Sequence, residues 1–372
     1  MGKLPAWPQF NPKTEKRVAA ILKSGKVNYW TGDEGRKFES EFAAWLGVKQ
    51  ALAVSNGTAA LHLALEALGV GPGDEVVCTP YSFIASSTCA ANAGATPVYA
   101  DVGTDHMLNA ETIARALTPR TKAIVVVHLF GQVADMGPIL KLAKERGLYV
   151  VEDCAQCLGG EYRGRKVGTL GDVGCFSFCQ AKHFTTGGEG GMVCPKSAKV
   201  ARAVRSLRDH GWKVGFQPKT FDRIGYNFRM TEIQSVIGRG ELERLESWNL
   251  PQRRRLATEL IGGLFRSRWG QTLVRSWPVD TEGRRASFWL VPFVLDDKKL
   301  KCPVSRFIEQ LQEMGVGAYK VIWPLPVKMP VASRLMRNTL GFWVHPTYTS
   351  KEIRKAISAF EAVAQKAKRQ DV

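Results

Sequence analysis

The sequence predicts an α/β fold with a mainly parallel central sheet that helices cover on both faces. Short apolar runs with strand character alternate with amphipathic segments through the first 250 residues. This alternation is typical of parallel strands joined by helical crossovers. The predicted strands are 51–54, 75–79, 97–102, 122–127, 149–151, 173–178 and, further along the chain, 287–295.

The chain changes character near residue 250. Residues 1–249 are predicted to form a large α/β domain with an N-terminal arm, and residues 250–372 a smaller α+β domain. Apolar residues three and four apart predict helices, and Ser350 is expected to cap the last of them. The predicted helices are 12–24, 35–46, 58–68, 110–117, 136–146, 198–208, 230–245, a long helix from about 250, 303–314 and 350–366; 323–326 reads as an extended loop.

The composition is that of an ordinary globular protein of 372 residues, with 45% hydrophobic and 23% charged residues. No apolar run is long enough to span a bilayer, and the N-terminus lacks the apolar core of a secretory signal, so a cytoplasmic protein is expected. The net charge of +18 could attract nucleic acid, anionic membrane or anionic substrates. Because the basic residues are dispersed and no nucleic-acid-binding motif occurs, we expect mainly a solvated surface, with a minority guiding a phosphate-bearing substrate.

One stretch, residues 149–191, carries the residue types of a cofactor site. An apolar strand ends in Glu152 and Asp153, which places both acids at the edge of the sheet where α/β proteins bind ligands. The next strand carries Ser177, and Lys182 follows it, just before glycines clustered around Glu189. A carboxylate can keep a pyridine nitrogen protonated, a lysine can form a Schiff base, and a hydroxyl with loop amides can hold a phosphate. This set fits pyridoxal 5′-phosphate (PLP).

A second phosphate-binding element is predicted further upstream. Gly57 and Thr58 stand between a strand and a helix, where unpaired amides and the helix dipole favour an anion. The same residues would also suit ordinary helix capping by Ser55 or Thr58.

These motifs resemble the DegT-type (DegT/StrS) family of PLP-dependent sugar aminotransferases, which have the fold type I architecture. The resemblance spans most of the chain and departs at the glycine cluster, where Gly187 and Gly188 stand in place of the more usual single glycine. The motifs that carry it are Ser55-Asn56-Gly57-Thr58-Ala59-Ala60-Leu61, Val127-His128-Leu129-Phe130-Gly131, Asp153-x-x-Gln156, Phe176-Ser177-Phe178, Lys182, Thr185-Thr186-Gly187-Gly188-Glu189-Gly190-Gly191 and Gly225-Tyr226-Asn227-Phe228-Arg229-Met230.

The resemblance implies a role for each matching residue. Lys182 carries PLP and moves the proton, and Asp153 pairs with the ring nitrogen. Gln156 contacts the ring hydroxyl and Phe83 stacks on the ring. Phosphate contacts fall to Gly57, Thr58 and Ser177 and, across a homodimer interface, to Asn227 of the other subunit. Substrate contacts are expected from Tyr29, Trp30, His183 and Arg229, although Tyr29 and Trp30 could be core, and Arg229 could form a structural salt bridge instead of binding the donor carboxylate.

The implied reaction moves an amino group, most simply from L-glutamate, to a keto-sugar carried on a nucleoside diphosphate, with pyridoxamine 5′-phosphate between the two halves. It would serve amino-sugar biosynthesis for a surface polysaccharide or a secondary metabolite. Three alternatives stay open: dehydration of a keto-sugar, for which relatives have His in place of the lysine; transamination of a cyclitol ketone or a free keto-sugar phosphate; and a non-catalytic regulator or basic nucleic-acid binder with the PLP fold.

The eight cysteines are expected to be free, buried thiols, since most lie in or beside apolar runs. The pairs Cys154-x-x-Cys157 and Cys175-x-x-x-Cys179 match zinc spacings only loosely. Because Asp153 and Gln156 interleave with the first pair, no metal site is predicted.

Overall fold

The computed structural model describes residues 4–213, 220–276, 280–281, 283–320, 322, 327 and 329–369. Most predicted helices and strands are present, with bounds shifted by a few residues. The helices are α1 (Pro12–Ser24), α2 (Glu34–Leu46), α3 (Gly57–Ala67), α4 (Ala85–Asn92), α5 (Ala110–Ala116), α6 (Met136–Arg146), α7 (Ala198–Arg208), α8 (Glu232–Glu243), α9 (Leu250–Arg266), α10 (Arg268–Leu273), α11 (Val304–Glu313), α12 (Pro330–Asn338) and α13 (Ser350–Ala367).

The strands form three sheets. They are β1 (Leu52–Val54), β2 (Glu75–Cys78), β3 (Thr96–Tyr99), β4 (Thr121–Val127), β5 (Tyr149–Asp153), β6 (Glu161–Tyr162), β7 (Arg165–Lys166), β8 (Val173–Ser177), β9 (Gly191–Pro195), β10 (Val274–Ser276), β11 (Arg284–Arg285), β12 (Leu290–Leu295), β13 (Ala318–Lys320) and β14 (Thr339–Trp343). A seven-stranded sheet has the order β1-β9-β8-β5-β4-β2-β3, a four-stranded sheet β10-β12-β14-β13, and a small sheet β11-β6-β7.

The seven-stranded sheet confirms the predicted mainly parallel architecture. Strands β3, β2, β4, β5 and β8 are mutually parallel, and β5 lies between β4 and β8. Strand β9 pairs antiparallel with both β8 and β1, and the sequence did not predict it. Its residues directly follow the glycine cluster, so they read as the end of a loop.

Both faces of this sheet are buried. Along β4, Ile124 and Val126 face one hydrophobic cluster, and Ala123 and Val125 face the other. The two-residue period of a strand produces this division. Helices on both sides exclude water from both faces, which explains why these strands are almost continuously apolar in the sequence.

A second hydrophobic core belongs to the C-terminal part of the chain. It packs α9, α10, α11 and α13 against the antiparallel four-stranded sheet, with Phe293, Phe307 and Phe360 fully buried. The domain boundary at 249/250 falls where α9 begins and stays a prediction. Thr349, and not Ser350, caps α13: its side chain accepts from the Lys351 amide and Glu352 completes a capping box. The predicted loop 323–326 lies outside the described residues.

Across the described ranges, every helix is too short or too polar to cross a lipid bilayer.

Glu152, next to Asp153 on β5, braces the turn that leads into β8. Its side chain is fully buried and accepts hydrogen bonds from the amides of Gly168 (2.9 Å), Leu170 (2.8 Å) and Gly171 (2.8 Å). It also accepts from Nε2 of His128 at 3.0 Å, since Nδ1 of that ring accepts from the Ala134 amide. Burial alone raises the pKa of this carboxyl, but His128 and the amides outweigh burial and hold the pKa below its usual value.

We expect Glu152→Gln to lower the free energy of unfolding by about 3 kcal/mol, because four buried donors lose a charged acceptor. Urea unfolding at neutral pH measures this loss, and Glu145→Gln on the exposed face of α6 is the matched control, expected to change stability by less than about 0.5 kcal/mol. Since the folded pKa of Glu152 is depressed, its contribution is lost as the pH falls through that value. Equal stability of the two variants would contradict the bracing role.

Candidate active site

A cavity of about 500 Å³ opens at the carboxyl edge of the seven-stranded sheet. It lies where β5 and β8 end and α3 begins, the edge at which the sequence predicted ligand binding. Seven residues predicted to bind the cofactor line this one cavity: Gly57, Thr58, Phe83, Asp153, Gln156, Ser177 and Lys182. Residues up to 125 positions apart in sequence therefore share one site.

Asp153 forms the polar floor of the cavity. The residue is 5% exposed, and its Oδ2 accepts from the Ser86 hydroxyl at 2.7 Å. Its Oδ1 accepts from the Ala155 amide at 3.1 Å, and Ser86 is held in turn by Ser82 at 2.9 Å. Ser86 was not predicted from the sequence, because a serine at the start of an apolar helix indicates only a core position. The carboxylate is thus oriented by neutral donors, which leaves its charge available to a cation in the cavity.

Gln156 and Phe83 flank this floor. The Gln156 Oε1 accepts from the Phe130 amide at 3.0 Å, so its amide hydrogens remain as donors. Phe83 is 64% exposed at the cavity wall, a position that a merely structural phenylalanine would rarely occupy. One side of the cavity therefore offers a hydrogen-bond donor and an open aromatic face, as a flat heteroaromatic ring requires.

The far end of the cavity is built for an anion. A Cβ on Gly57 would lie 2.7 Å from the Cβ of Ser177, so only glycine lets the start of α3 come this close to β8. The amides of Gly57 and Thr58 precede the first bond of the helical ladder and are free to bind a ligand. Asn56, and neither Ser55 nor Thr58, caps the helix, accepting from the Ala59 amide at 2.8 Å. The Thr58 hydroxyl is therefore not consumed by capping.

Lys182 lies in the loop between β8 and β9 and lines the same cavity. Burial lowers the pKa of its amine, and the charges of Asp153, Cys179 and Glu189 oppose this; the net shift is downward. A lowered pKa increases the fraction of neutral amine, which is the form that attacks a carbonyl and accepts a proton. The amine also lies 4.5 Å from the ring centroid of Trp289, a contact that the sequence did not predict.

Tyr29, an expected substrate contact, lies outside the lining of this cavity in one chain. It is buried, and its hydroxyl donates to Glu39 at 3.1 Å. Arg208 stacks on its ring at 4.5 Å and pairs with Glu39 at 2.5 Å. Burial raises the pKa of the Tyr29 hydroxyl. Tyr29 thus completes a buried ion-pair network, the core role that the sequence had left open.

The other three expected substrate contacts also lie outside the cavity lining of one chain. His183 points into the protein, 1% exposed, and burial together with Arg253 holds its pKa well below the usual range. Arg229 forms the structural salt bridge, with Asp209 as its partner. Trp30 is 42% exposed and packs on Trp212 with ring centroids 5.1 Å apart. His183 directly follows Lys182 in the loop between β8 and β9, but its side chain is buried, a direction that adjacency in sequence does not reveal.

Asn227 lies on the surface, outside the lining of its own chain's cavity, where its backbone bridges to Asp209. Its predicted contact with the phosphate of a second subunit stays a prediction.

His128, Glu152 and Cys154 bring potential metal-ligand atoms within 4.8 Å of one another. The hydrogen bonds described above already use both Glu152 oxygens and both His128 nitrogens, so the group is explained as a brace. The eight thiols are free, and six of them are buried.

The residues present fit PLP. The cavity supplies an acid at its floor, an amide donor and an aromatic face beside it, free helix amides at one end and a lysine amine at its wall. In the bound cofactor these would serve the ring nitrogen, the ring hydroxyl, the ring face, the phosphate and the aldehyde, respectively.

Comparison with known proteins agrees with this fit. Residues 8–357 match the DegT/DnrJ/EryC1/StrS aminotransferase family. The chain is 46% identical over 252 residues to the UDP-N-acetyl-3-dehydro-α-D-glucosamine 3-aminotransferase of Acidithiobacillus ferrooxidans, a match covering 66% of each chain. It is 37% identical over 348 residues to the GDP-perosamine synthase of Caulobacter vibrioides, covering 90% of this chain and 92% of that one.

A solved structure of an aminotransferase from Psychrobacter cryohalolentis superposes with a TM-score of 0.92 at 36% identity, covering 98% of this chain and 99% of that one. The fold, the cavity and the sequence match agree, and the chain therefore belongs to the DegT/DnrJ/EryC1/StrS aminotransferase family, as a PLP-dependent transaminase of fold type I.

Proposed function

We propose that this transaminase moves an amino group from L-glutamate to a keto-sugar linked to a nucleoside diphosphate, in the cytoplasm. The observation that carries the proposal is the single cavity in which Asp153 and Lys182 are brought together with the Gly57–Ser177 anion site. The two curated relatives described above are named for work on UDP- and GDP-linked sugars, which supports a nucleotide-linked acceptor. The net charge of +18 favours such an anionic substrate.

When bound, the cofactor would supply an electron sink and a carrier for the transferred nitrogen. The protein supplies the rest. Asp153, held by Ser86, keeps a charge against the ring nitrogen, and the amides of Gly57 and Thr58 hold the phosphate. Lys182 Nζ holds the cofactor at rest and, once released, accepts and returns the proton at the reacting carbon. The presence of this lysine favours transamination over dehydration.

The acceptor's sugar and nucleotide are open to direct assay. Purified protein is supplied with L-glutamate and with UDP-, GDP- or dTDP-linked keto-sugars, and 2-oxoglutarate release is measured. Continued release beyond one equivalent per active site with a nucleotide-linked acceptor, but not with the corresponding cyclitol ketone or free keto-sugar phosphate, supports the proposal. The reverse preference would assign the enzyme to one of those alternatives.

Borohydride reduction of the protein loaded with PLP should fix the cofactor to the peptide that contains Lys182. The reason is that this amine, with a lowered pKa, lines the cavity beside Asp153. Peptide mass mapping locates the label, and Lys182→Ala is the control, expected to lose it together with turnover. A label on any other lysine would refute the assignment.

Asp153→Asn should slow each half-reaction by roughly two or more powers of ten, each worth about 1.4 kcal/mol, because the amide keeps the shape but loses the charge that protonates the ring. Single-turnover absorbance measurements with glutamate follow the first half-reaction. The exposed Glu145→Gln on α6 is the control, expected to leave both half-reactions unchanged. Normal rates for Asp153→Asn would exclude it as the partner of the ring nitrogen.

We further propose a homodimer in which Asn227 of each chain completes the phosphate site of the other. The exposure of Asn227 and its absence from its own cavity lining support this arrangement. Two-fold symmetry would make the contact reciprocal.

Mixing two inactive variants tests the shared site. In a dimer of Lys182→Ala with Asn227→Asp, one site carries both defects and the other carries neither. Random subunit exchange should therefore restore roughly a quarter of wild-type activity, because roughly half of the dimers are mixed with one intact site each. Mass spectrometry of differently tagged chains verifies exchange. Absence of recovery after verified exchange would mean that Asn227 does not serve the partner's site.

A further inference from the structure

The peptide that carries Lys182 is held by side chains from outside the central sheet. Three successive carbonyls accept hydrogen bonds from side chains. The Trp289 indole donates to the Ala181 oxygen at 2.6 Å, the Trp7 indole to that of Lys182 at 3.2 Å, and the Asn249 amide to that of His183 at 2.5 Å. Side-chain donors from three separate parts of the chain bind three consecutive backbone carbonyls. Together these hydrogen bonds fix the orientation of the peptide segment 181–183.

Arg253 contacts two members of this group, the Asn249 side chain and the Lys182 carbonyl. It is fully buried, and the partners of its guanidinium among the described residues are one side-chain amide oxygen and backbone carbonyls. Its Nε donates to the Asn249 Oδ1 at 2.9 Å, and its remaining donors reach the carbonyls of Lys182 (3.5 Å), Trp289 (3.2 Å) and Val344 (3.4 Å). Burial lowers the pKa of this guanidinium to about 9.

A buried cation without an anionic partner is expensive. The buried charge of Arg253 is stabilised because its guanidinium donates to several backbone carbonyls from separate elements of the fold. The backbone N–H of Asn249 donates to the Arg244 carbonyl, five residues earlier in the chain, at 3.2 Å. This bond belongs to a π-helical turn, Leu245–Asn249. Such turns are rare and often accompany functional sites. This one places the Asn249 side chain toward the loop that carries Lys182.

Trp289 is the member of the group that reaches the reacting atom. Its ring lies under the Lys182 amine, 4.5 Å from Nζ to the centroid, and its edge packs on Trp343 at 5.0 Å between centroids. The residue before it, Phe288, has φ of 51°, which a bulky side chain adopts only when its surroundings require it. A Cβ on Gly131 would collide with the backbone nitrogens of Phe288 and Trp289, so this strained segment is seated directly on the central domain.

We propose that Trp289 is a further residue of the transamination site, with Asn249 and Arg253 as positioning residues for Lys182. Trp289 holds the peptide of the reactive lysine through its indole N–H and stabilises the charged amine through its ring face. The inference rests on the proposed function, in that Lys182 is taken as the lysine that binds the cofactor.

The two roles of Trp289 separate in two variants. Trp289→Phe keeps a ring face but loses the donor to Ala181, whereas Trp289→Leu loses both. Trp269→Leu, a mostly buried tryptophan of the C-terminal core that makes none of these contacts, is the matched control. The measurement is the rate at which PLP, trapped by borohydride, labels Lys182 in the apoprotein as a function of pH, with no turnover required.

Trp289→Phe should slow labelling at Lys182 about threefold to tenfold, the effect of one lost hydrogen bond on the placement of the amine. In Trp289→Leu the midpoint of the pH profile should also fall by about half a pH unit. The ring face favours the ammonium form, so its removal lowers the pKa and neutral amine appears at lower pH. Asp153, Cys179 and Glu189, the other groups that act on this amine, are unchanged in all variants.

Arg253→Lys tests the positioning role separately. This variant keeps the positive charge but loses the planar guanidinium with its several donors. Amide hydrogen exchange in residues 182–186 should therefore accelerate about tenfold, and PLP labelling of Lys182 should slow. Arg255→Lys, two residues along α9 and paired with Glu259 on the surface, should change neither. Thermal unfolding of each variant establishes that it is folded.

The outcomes discriminate clearly. Wild-type rate and midpoint in both Trp289 variants would overturn the inference while leaving Lys182 as the cofactor lysine. An equal midpoint shift in Trp269→Leu would also overturn it, because general loosening of the C-terminal core would then be the cause. Failure of the wild-type protein itself to label at Lys182 would overturn the proposed function and the inference with it.

Discussion

A carboxylate and an amine share one partly dry cavity at the carboxyl edge of the central sheet, and much of the fold serves to keep them there. Asp153 ends β5, and Lys182 follows β8, the parallel neighbour of β5. The two strands fix the positions from which both side chains enter, and helices on both faces exclude water. In such a setting charges act more strongly on one another than they would in water. The downward shift in the pKa of Lys182 is the consequence of this burial.

Two adjacent acids on β5 show how strand geometry assigns separate tasks. Successive side chains of a strand point to opposite faces, so Glu152 and Asp153 cannot serve the same site. Glu152 meets His128 and three backbone amides, and its charge is consumed in holding the turn before β8. Asp153 meets only neutral donors, and its charge remains for a ligand. The brace and the reactive acid are thus neighbours in sequence with opposite electrostatic roles.

The cavity belongs to the central sheet, but the lysine peptide depends on the whole chain. Donors from the N-terminal arm, from the start of α9 and from the residue before β12 converge on residues 181–183. Residues outside the central sheet therefore hold the Lys182 peptide through hydrogen bonds to its backbone, and Trp289 adds one aromatic face beside the amine. Arg253 takes part in this arrangement, since the partners of its buried guanidinium in the described part of the chain are the Asn249 side chain and backbone carbonyls.

The sequence by itself predicted the alternating α/β architecture and the acid, serine and lysine of the cofactor site, because these depend on local patterns, whereas Phe83 and Gln156 were expected from the resemblance to the family. Strand period, strand-end acids and a glycine where α3 meets β8 are legible in order along the chain, and seven predicted cofactor residues line one cavity. Only the tertiary structure decided the directions and partners of side chains. It turned His183 inward, paired Arg229 with Asp209, enclosed Tyr29 with Glu39 and Arg208, and brought Ser86 and Trp289 to the reacting groups. Such contacts join residues far apart in sequence, and they are set by long-range packing that no local pattern encodes.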